Sequence, residues 1–301
     1  MYRRIPTGLL LSLVAVWARP ATADPADPQQ IIQAVRAEEQ TVGIKPSGNF
    51  AHADPAVTAY YRCYYTGKLE LPASYDQLRL REGTKDGCRL AESKYDVFFY
   101  PIEAVSTGHV PVTQALAAAS VERLATVVPH EDFHLQVSEL PDRVAEAATT
   151  LVGFLTGNAA AESLGNTRLR TEAEIFLKKA VILNRYYDRL SVLYRSARAG
   201  AISKAGALAE KKRLLTALQQ ECATIQPEPR SFNRCAPVAN NAGVAFDYTY
   251  TRDYPLVYEV YRTCHEDLRC TIEAIERAPR KRPEAEVIRY LQKFAQTALI
   301  H

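Results

Sequence analysis

The sequence predicts an α+β protein, mainly helical, with a small sheet confined to one side, and three observations predict it. The first is composition: 301 residues, 47% hydrophobic and 24% charged, carry only 13 Gly. Ala, Leu, Glu and Arg are abundant instead, and these lose least entropy in a helix. The second is order: two aromatic runs occur early, and helical periodicity fills the rest of the chain. The third is a seam, Leu169, Ala173, Phe176, Ala180, Leu183, Tyr187, Leu190, Tyr194 and Ala197, stepping by four and three without a break.

The elements follow in order. Arg3 and Arg4 precede an apolar run from Gly8 to Trp17, and Ala21-Thr22-Ala23 offers the small residues of a cleavage site. Residues 1–23 therefore read as a cleaved export signal, since the run is about half of the roughly 20 residues a membrane-spanning helix needs. One domain, residues 24–301, is expected beyond it, periplasmic or secreted, with no stable membrane insertion. The formal charge of +3 includes Arg3, Arg4 and Arg19, and without them 34 basic residues balance 34 acidic ones. With no block of five like charges either, nothing argues for a nucleic-acid partner.

Six cysteines, an even count in an exported chain, read as disulfides. Proximity favours Cys63 with Cys88, Cys222 with Cys235, and Cys264 with Cys270. A cysteine zinc site is the poorer alternative, because no C-x-x-C pair exists.

A short helix is expected over Gln29–Glu39, then a loop with Gly43, Pro46 and Gly48. Tyr60–Tyr65 and Tyr95–Tyr100 are aromatic and β-branched runs bounded by Gly, Pro or Asp, and predict strands. From Thr113 the pattern turns helical, with Leu116, Ala117, Val121, Leu124 and Val128 on one face, and continues to Val137; a second helix should span Asp142–Leu155. The long seam follows, ended by Ala199-Gly200-Ala201. Leu208, Leu215, Leu218 and Cys222 then predict a returning helix, so the pair forms an antiparallel hairpin braced by the Cys222–Cys235 loop. Beyond Pro237 come Asn240-Asn241-Ala242-Gly243, a tyrosine-rich stretch from Tyr248 to Tyr261, and two short helices ending near Leu299.

The chemistry is concentrated in Val127-Val128-Pro129-His130-Glu131-Asp132-Phe133-His134, which contains H-E-x-x-H. Residues four apart lie about 40° apart around a helix, so His130 and His134 can present imidazole nitrogens to one ion while Glu131 faces its bound water. Zn2+ suits such a site, taking nitrogen and oxygen ligands and leaving a position for water. Glu146, on the next helix, is the candidate third ligand, with Gly153 near the same helical face allowing close packing; Glu139, Asp142 and Glu162 compete with it. Glu131 is the candidate general base.

Four blocks resemble a family of gluzincin-type zinc aminopeptidases, in which a downstream Glu completes two His ligands. Ala104-Val105-Ser106-Thr107-Gly108 looks like the family's Ala-Tyr-Ser-Thr-Leu-Gly stretch. His130 to His134 is the zinc motif, with Gln136 one place later than the Gln that usually follows. Glu146 to Gly153 is similar to the block around the third ligand, and Asn240-Asn241-Ala242 resembles an Asn-Asn-Ala block. The resemblance implies a zincin-like fold with the sheet beside the H-E-x-x-H helix, zinc held by His130, His134 and Glu146, a peptide substrate and aminopeptidase activity. Three positions depart from the pattern: Pro129, which costs about 3 kcal/mol inside a helix unless the helix bends or starts there; Asp132, usually uncharged; and Ala145 in place of Asn.

An oxyanion donor is also needed. Tyr248 and Tyr250, after the Asn-Asn-Ala block, are candidates, with core packing as the competing role and His265 a weaker alternative. Ser106, Thr107 and Gly108 form either an edge strand for an extended peptide or a plain turn; His109 lies close to them, and His52 sits in a loop without a partner pattern. The expected function is zinc-dependent peptide hydrolysis. The alternative is a catalytically inactive metal-binding or helical scaffold protein of the periplasm.

Overall fold

The computed structural model describes residues 27–83, 85–105, 108–227 and 238–297. The segment read as an export signal, Ser106, Thr107 and Cys235 lie outside them. The first helix, α1 (Pro28–Val42), begins where Asp27 accepts a hydrogen bond from the Gln29 amide and ends at Gly43, whose φ of +92° closes the helix at no steric cost.

Three antiparallel strands follow, β1 (Tyr60–Gly67), β2 (Arg79–Glu82) and β3 (Tyr95–Ile102), in spatial order β2-β1-β3. The second was not expected: its sequence is Arg-Leu-Arg-Glu, exposed throughout, so burial gave it no pattern to read, and pairing with β1 alone makes it a strand. Register sets Arg62 opposite Tyr100 and Tyr64 opposite Phe98, so these four side chains share one face. Cys63 is bonded to Cys88 behind it, and Cys264 to Cys270 farther on. Cys222 is disulfide-bonded too, its expected partner lying outside the described residues.

The helical stretch expected to run unbroken from Thr113 is two helices, α2 (Gln114–Ala117) and α3 (Val121–Val137). Ser120 divides them: it takes an extended conformation and caps the Arg123 amide, starting a new helix. A four-residue connection leads to α4 (Asp142–Ser163), which runs past the expected end at Leu155 because Thr156, Gly157, Ala160 and Ala161 are small and buried. The hairpin is α5 (Glu172–Arg198) and α6 (Lys204–Cys222), packed through Leu183, Leu190, Leu214 and Leu218. The tyrosine-rich stretch is α7 (Asn241–Thr251) and α8 (Tyr254–Thr263), and the two short helices are α9 (Leu268–Glu276) and α10 (Glu284–Thr297).

The protein is thus mainly helical with one small sheet. α3 and α4 lie at its centre and are buried on nearly every side, against α1 on one flank and α8 and α9 on another, with α10 packed outside those two. The sheet packs on α7, where Phe246 meets Tyr64 and Phe98 at ring separations of 5.3 and 4.8 Å.

Candidate metal centre

The α3–α4 packing places the chemistry. Pro129 sits inside α3, which continues through it, so the Ala125 carbonyl loses its helical donor at that point. There the two helices come unusually close: a Cβ on Gly157 would lie 2.5 Å from the Ala125 oxygen, and one on Gly153 would lie 2.9 Å from the Thr126 oxygen and 3.1 Å from His130 Cβ. Two glycines therefore permit the approach, Gly153 among them as its sequence position predicted, and no larger residue fits without separating the helices.

Close approach carries Glu146 on α4 to the two histidines of α3. His130 Nε2 and His134 Nε2 are 3.2 Å apart, and Glu146 Oε2 is 3.5 and 3.4 Å from them. All three side chains are largely buried, and they form a group able to hold one metal ion. Ligands about 2.0–2.1 Å from a tetrahedral zinc stand roughly 3.3–3.4 Å from one another, so the observed triangle has the size such an ion requires. Glu146 Oε2 is buried and faces only the two imidazole nitrogens, with no well-formed hydrogen bond, a costly state for a carboxylate oxygen and the natural one for a ligand atom. The residues present fit the metal.

Electrostatics couple the same three groups. Burial opposes the charge on His134, but the Glu146 carboxylate outweighs it and holds the imidazolium up to about 9. Burial likewise opposes the Glu146 charge, and His134 and His130 more than offset it, keeping the acid well below its usual range. Without metal, the cluster is a proton-bearing ion pair.

Tyr75 completes it. Its hydroxyl donates to Glu146 Oε1 at 2.8 Å, which leaves Oε2 turned toward the histidines. Tyr75 lies in a 3-10 turn, Tyr75–Gln77, whose Tyr75 amide donates to Thr249 Oγ1 on α7. Sequence reasoning missed this residue. It stands 71 positions from Glu146 in a turn of no regular pattern, and no spacing rule joins them.

A cleft of about 890 Å³ opens over the cluster, and Glu131 and Tyr250 line it beside His130 and His134. The ring of Tyr250 is 6.3 Å from that of His130. Burial and then the nearby Glu146 charge push its hydroxyl well above the usual range, so it stays protonated and able to donate. Tyr248 does not reach the cleft. Two positions away on α7, it points to the other side, where its ring stacks on Tyr187 at 3.5 Å. Packing governs Tyr248.

The other candidates separate cleanly. Glu139 pairs with Lys281 at 2.9 Å and Glu162 with Arg170 at 2.7 Å, both away from the cluster. Asp142 opens α4 and is absent from the three-residue group. His52, His109 and His265 are exposed, outside the cleft lining. Gly108 has a φ of +85°, a turn conformation rather than a strand's. The cleft is bordered instead by β3, of which Phe98, Phe99, Tyr100 and Ile102 line it.

Two departures noted in the sequence find structural roles. Asp132 faces away from the cleft, fully buried, where it accepts from Arg36, Ser47 and Asn49 and so ties α1 and the following loop to α3. Gln136 does similar service, accepting from the Lys45 amide and donating to Glu276 on α9. The Asn-Asn-Ala block is an anchor too. Asn240 caps α7 and donates to the Val97 carbonyl on β3; Asn241 donates to the Lys68 and Glu70 carbonyls and accepts from Tyr194 on α5. That network fixes α7, and with it Tyr250, against the sheet.

The site and fold together define a mainly helical protein with a candidate metal centre between two antiparallel helices, beneath a cleft. The model of the family described as "Putative aminopeptidase" matches residues 80–288, and the chain belongs to that family. No curated protein and no solved structure matches it. No helix among the described residues is long and apolar enough to cross a membrane.

Proposed function

We propose that this protein is an exported zinc-dependent peptidase, and, with the family's description, an aminopeptidase. One observation carries the reading: a buried carboxylate oxygen whose only polar neighbours are two imidazole nitrogens closes a triangle of 3.2–3.5 Å with them at the floor of a cleft. His130, His134 and Glu146 hold the metal. Zinc bound there supplies a Lewis acid, which polarises a substrate carbonyl and acidifies water at neutral pH.

The chain's own residues do the rest. Glu131, adjacent to His130 and lining the cleft, accepts the proton of the attacking water and delivers it to the departing amine. Tyr250, kept protonated by burial, donates a hydrogen bond to the oxygen on which negative charge develops. Tyr75 orients Glu146. β3 offers its edge beside the cleft, where an extended peptide can lie. Since Asp132 anchors α1 and the following loop on the side away from the cleft, its charge does not argue for a disabled site.

The test combines metal content with turnover on a peptide library. The expected result is one zinc per chain, hydrolysis by the natural protein, and a Glu131→Gln variant that retains zinc while kcat falls at least a thousandfold. Undiminished turnover by that variant, or substoichiometric zinc under non-stripping conditions, would overturn the proposal.

A further inference from the structure

The charged groups lining the cleft are nearly all committed to one another. Arg123 is bidentate on Glu103, through Nε at 3.2 Å and Nη2 at 2.7 Å, and also donates to the Tyr100 hydroxyl. Asp247 is paired at 2.8 Å with Lys179, which is completely buried behind the wall. Glu146 faces its two histidines. Arg62 differs: among the described residues it makes no ion pair, and its protein partner is the neutral hydroxyl of Tyr64.

Its position is defined by the sheet. Arg62 and Tyr64 alternate onto the β1 face that lines the cleft, next to Tyr100 and Phe98 of β3. From Tyr64 the contacts lead inward: its ring lies 6.3 Å from that of Tyr75, whose hydroxyl is 2.8 Å from Glu146. Arg62 therefore stands two side chains from the metal centre. An extended peptide advances about 3.3 Å per residue, so a substrate group held by Arg62 lies a few residues from the bond being cut.

Glu82, opposite Arg62 in the register of β1 and β2, is exposed and forms no ion pair with it among the described residues, so the half-buried guanidinium on its aromatic wall is left to match a substrate carboxylate, which it can grip through two parallel hydrogen bonds. We propose that Arg62 binds a substrate carboxylate, either the C-terminus of a short peptide or an acidic side chain beyond the scissile bond. The proposal rests on the peptidase reading above and adds the substrate class: short or acidic peptides.

The experiment uses three probes on the zinc-loaded protein: a tripeptide with a free C-terminus, the same tripeptide amidated, and an amidated tripeptide ending in Glu. Cleavage is measured with the natural protein and with Arg62→Met, and binding by calorimetry in the Glu131→Gln background with and without Arg62→Met. The free-carboxylate probe should be preferred, with Arg62→Met raising its KM about ten- to a hundredfold and leaving kcat and the amidated probe nearly unchanged. Preference for the Glu-ending probe instead assigns the site to acidic side chains. Arg62→Lys, retaining charge but not the fork, should recover part of the loss. Equal treatment of all three probes, or an equal loss on all three with zinc content and circular dichroism intact, overturns the proposal while peptide cleavage stands. Discriminating binding without any cleavage has the opposite meaning: the carboxylate site stands and the peptidase reading falls.

Discussion

Asp96 and Glu146 are both buried carboxylates that join separate elements, and they are satisfied in opposite ways. Asp96, on β3, accepts from Lys68 at 2.8 Å, from Lys211, and from the Asn241 amide at 3.0 Å. Both of its oxygens are taken. Glu146 accepts from Tyr75 on one oxygen, while the other is buried and lies within 3.5 Å of two imidazole nitrogens, without a well-formed hydrogen bond. A filled carboxylate does structural work, since removing it strands buried cations. One held half-open by its neighbours keeps a lone pair for a ligand, and the fold has gone to the length of placing two glycines behind it to set the distance.

The sharpest way to break this comparison is to remove each charge. Asp96→Asn should cost about 3–5 kcal/mol of stability, because Lys211 remains buried without a counter-ion. Zinc affinity of the molecules that stay folded should change little. Glu146→Gln should do the reverse, with zinc affinity falling by orders of magnitude and, above pH 9 where the His134 ion pair no longer contributes, the melting temperature of the metal-free protein moving far less. Denaturation curves and zinc titration on both variants decide it, and matching losses of stability would end the distinction.

A smaller effect is expected of Tyr75→Phe, which deletes one hydroxyl and frees Glu146 to rotate. Zinc affinity should fall about ten- to a hundredfold, measured by chelator competition. A cobalt-loaded sample should show an altered visible spectrum as the carboxylate changes its mode of binding. An unchanged affinity would demote Tyr75 to packing.

The gentlest perturbation is pH. His134 titrates near 6.5 when unfolded and near 9 in the metal-free fold, because Glu146 outweighs the burial that opposes its charge. The stabilisation it brings is therefore complete below 6.5 and disappears as pH rises through about 9. Zinc must displace that proton, so its affinity should climb up to tenfold per pH unit across the same window and level off above it. A pH-independent affinity between 6.5 and 9 would exclude the ion pair. Glu39 supplies a second slope of the same sign, beginning at lower pH. Burial and then the Asp132 charge raise it to about 8, so the fold loses stability as pH rises from 4.5 toward 8, and Glu39→Gln should flatten that part of the profile.

Local rules carried much of this protein. Helical spacing gave His130, Glu131 and His134 their common face, and the uninterrupted seam from Leu169 to Ala197 gave the hairpin. Capping chemistry is legible at Ser120, where a polar residue after Ala118 and Ala119 starts α3 afresh, but the apolar periodicity running across it conceals the break. β2 was beyond reach, since an exposed strand has no burial pattern of its own. Tyr248 and Tyr250 show the limit most plainly. They are identical residues two apart on one helix, and only the neighbours of α7 decide that one stacks on Tyr187 while the other lines the cleft.

By itself, then, the sequence determined what depends on residues close in the chain: the helices, the H-E-x-x-H face and two of the disulfides. Tertiary structure decided what depends on distance across the chain. It selected Glu146 as the carboxylate that meets the histidines, turned Asp132 away, and brought Tyr75 and Arg62 to the same cleft. The physical reason is that a helix fixes angles to within a few tens of degrees over four residues, whereas a metal centre needs donors placed to a few tenths of an ångström. That placement comes from two helices brought together over Gly153 and Gly157.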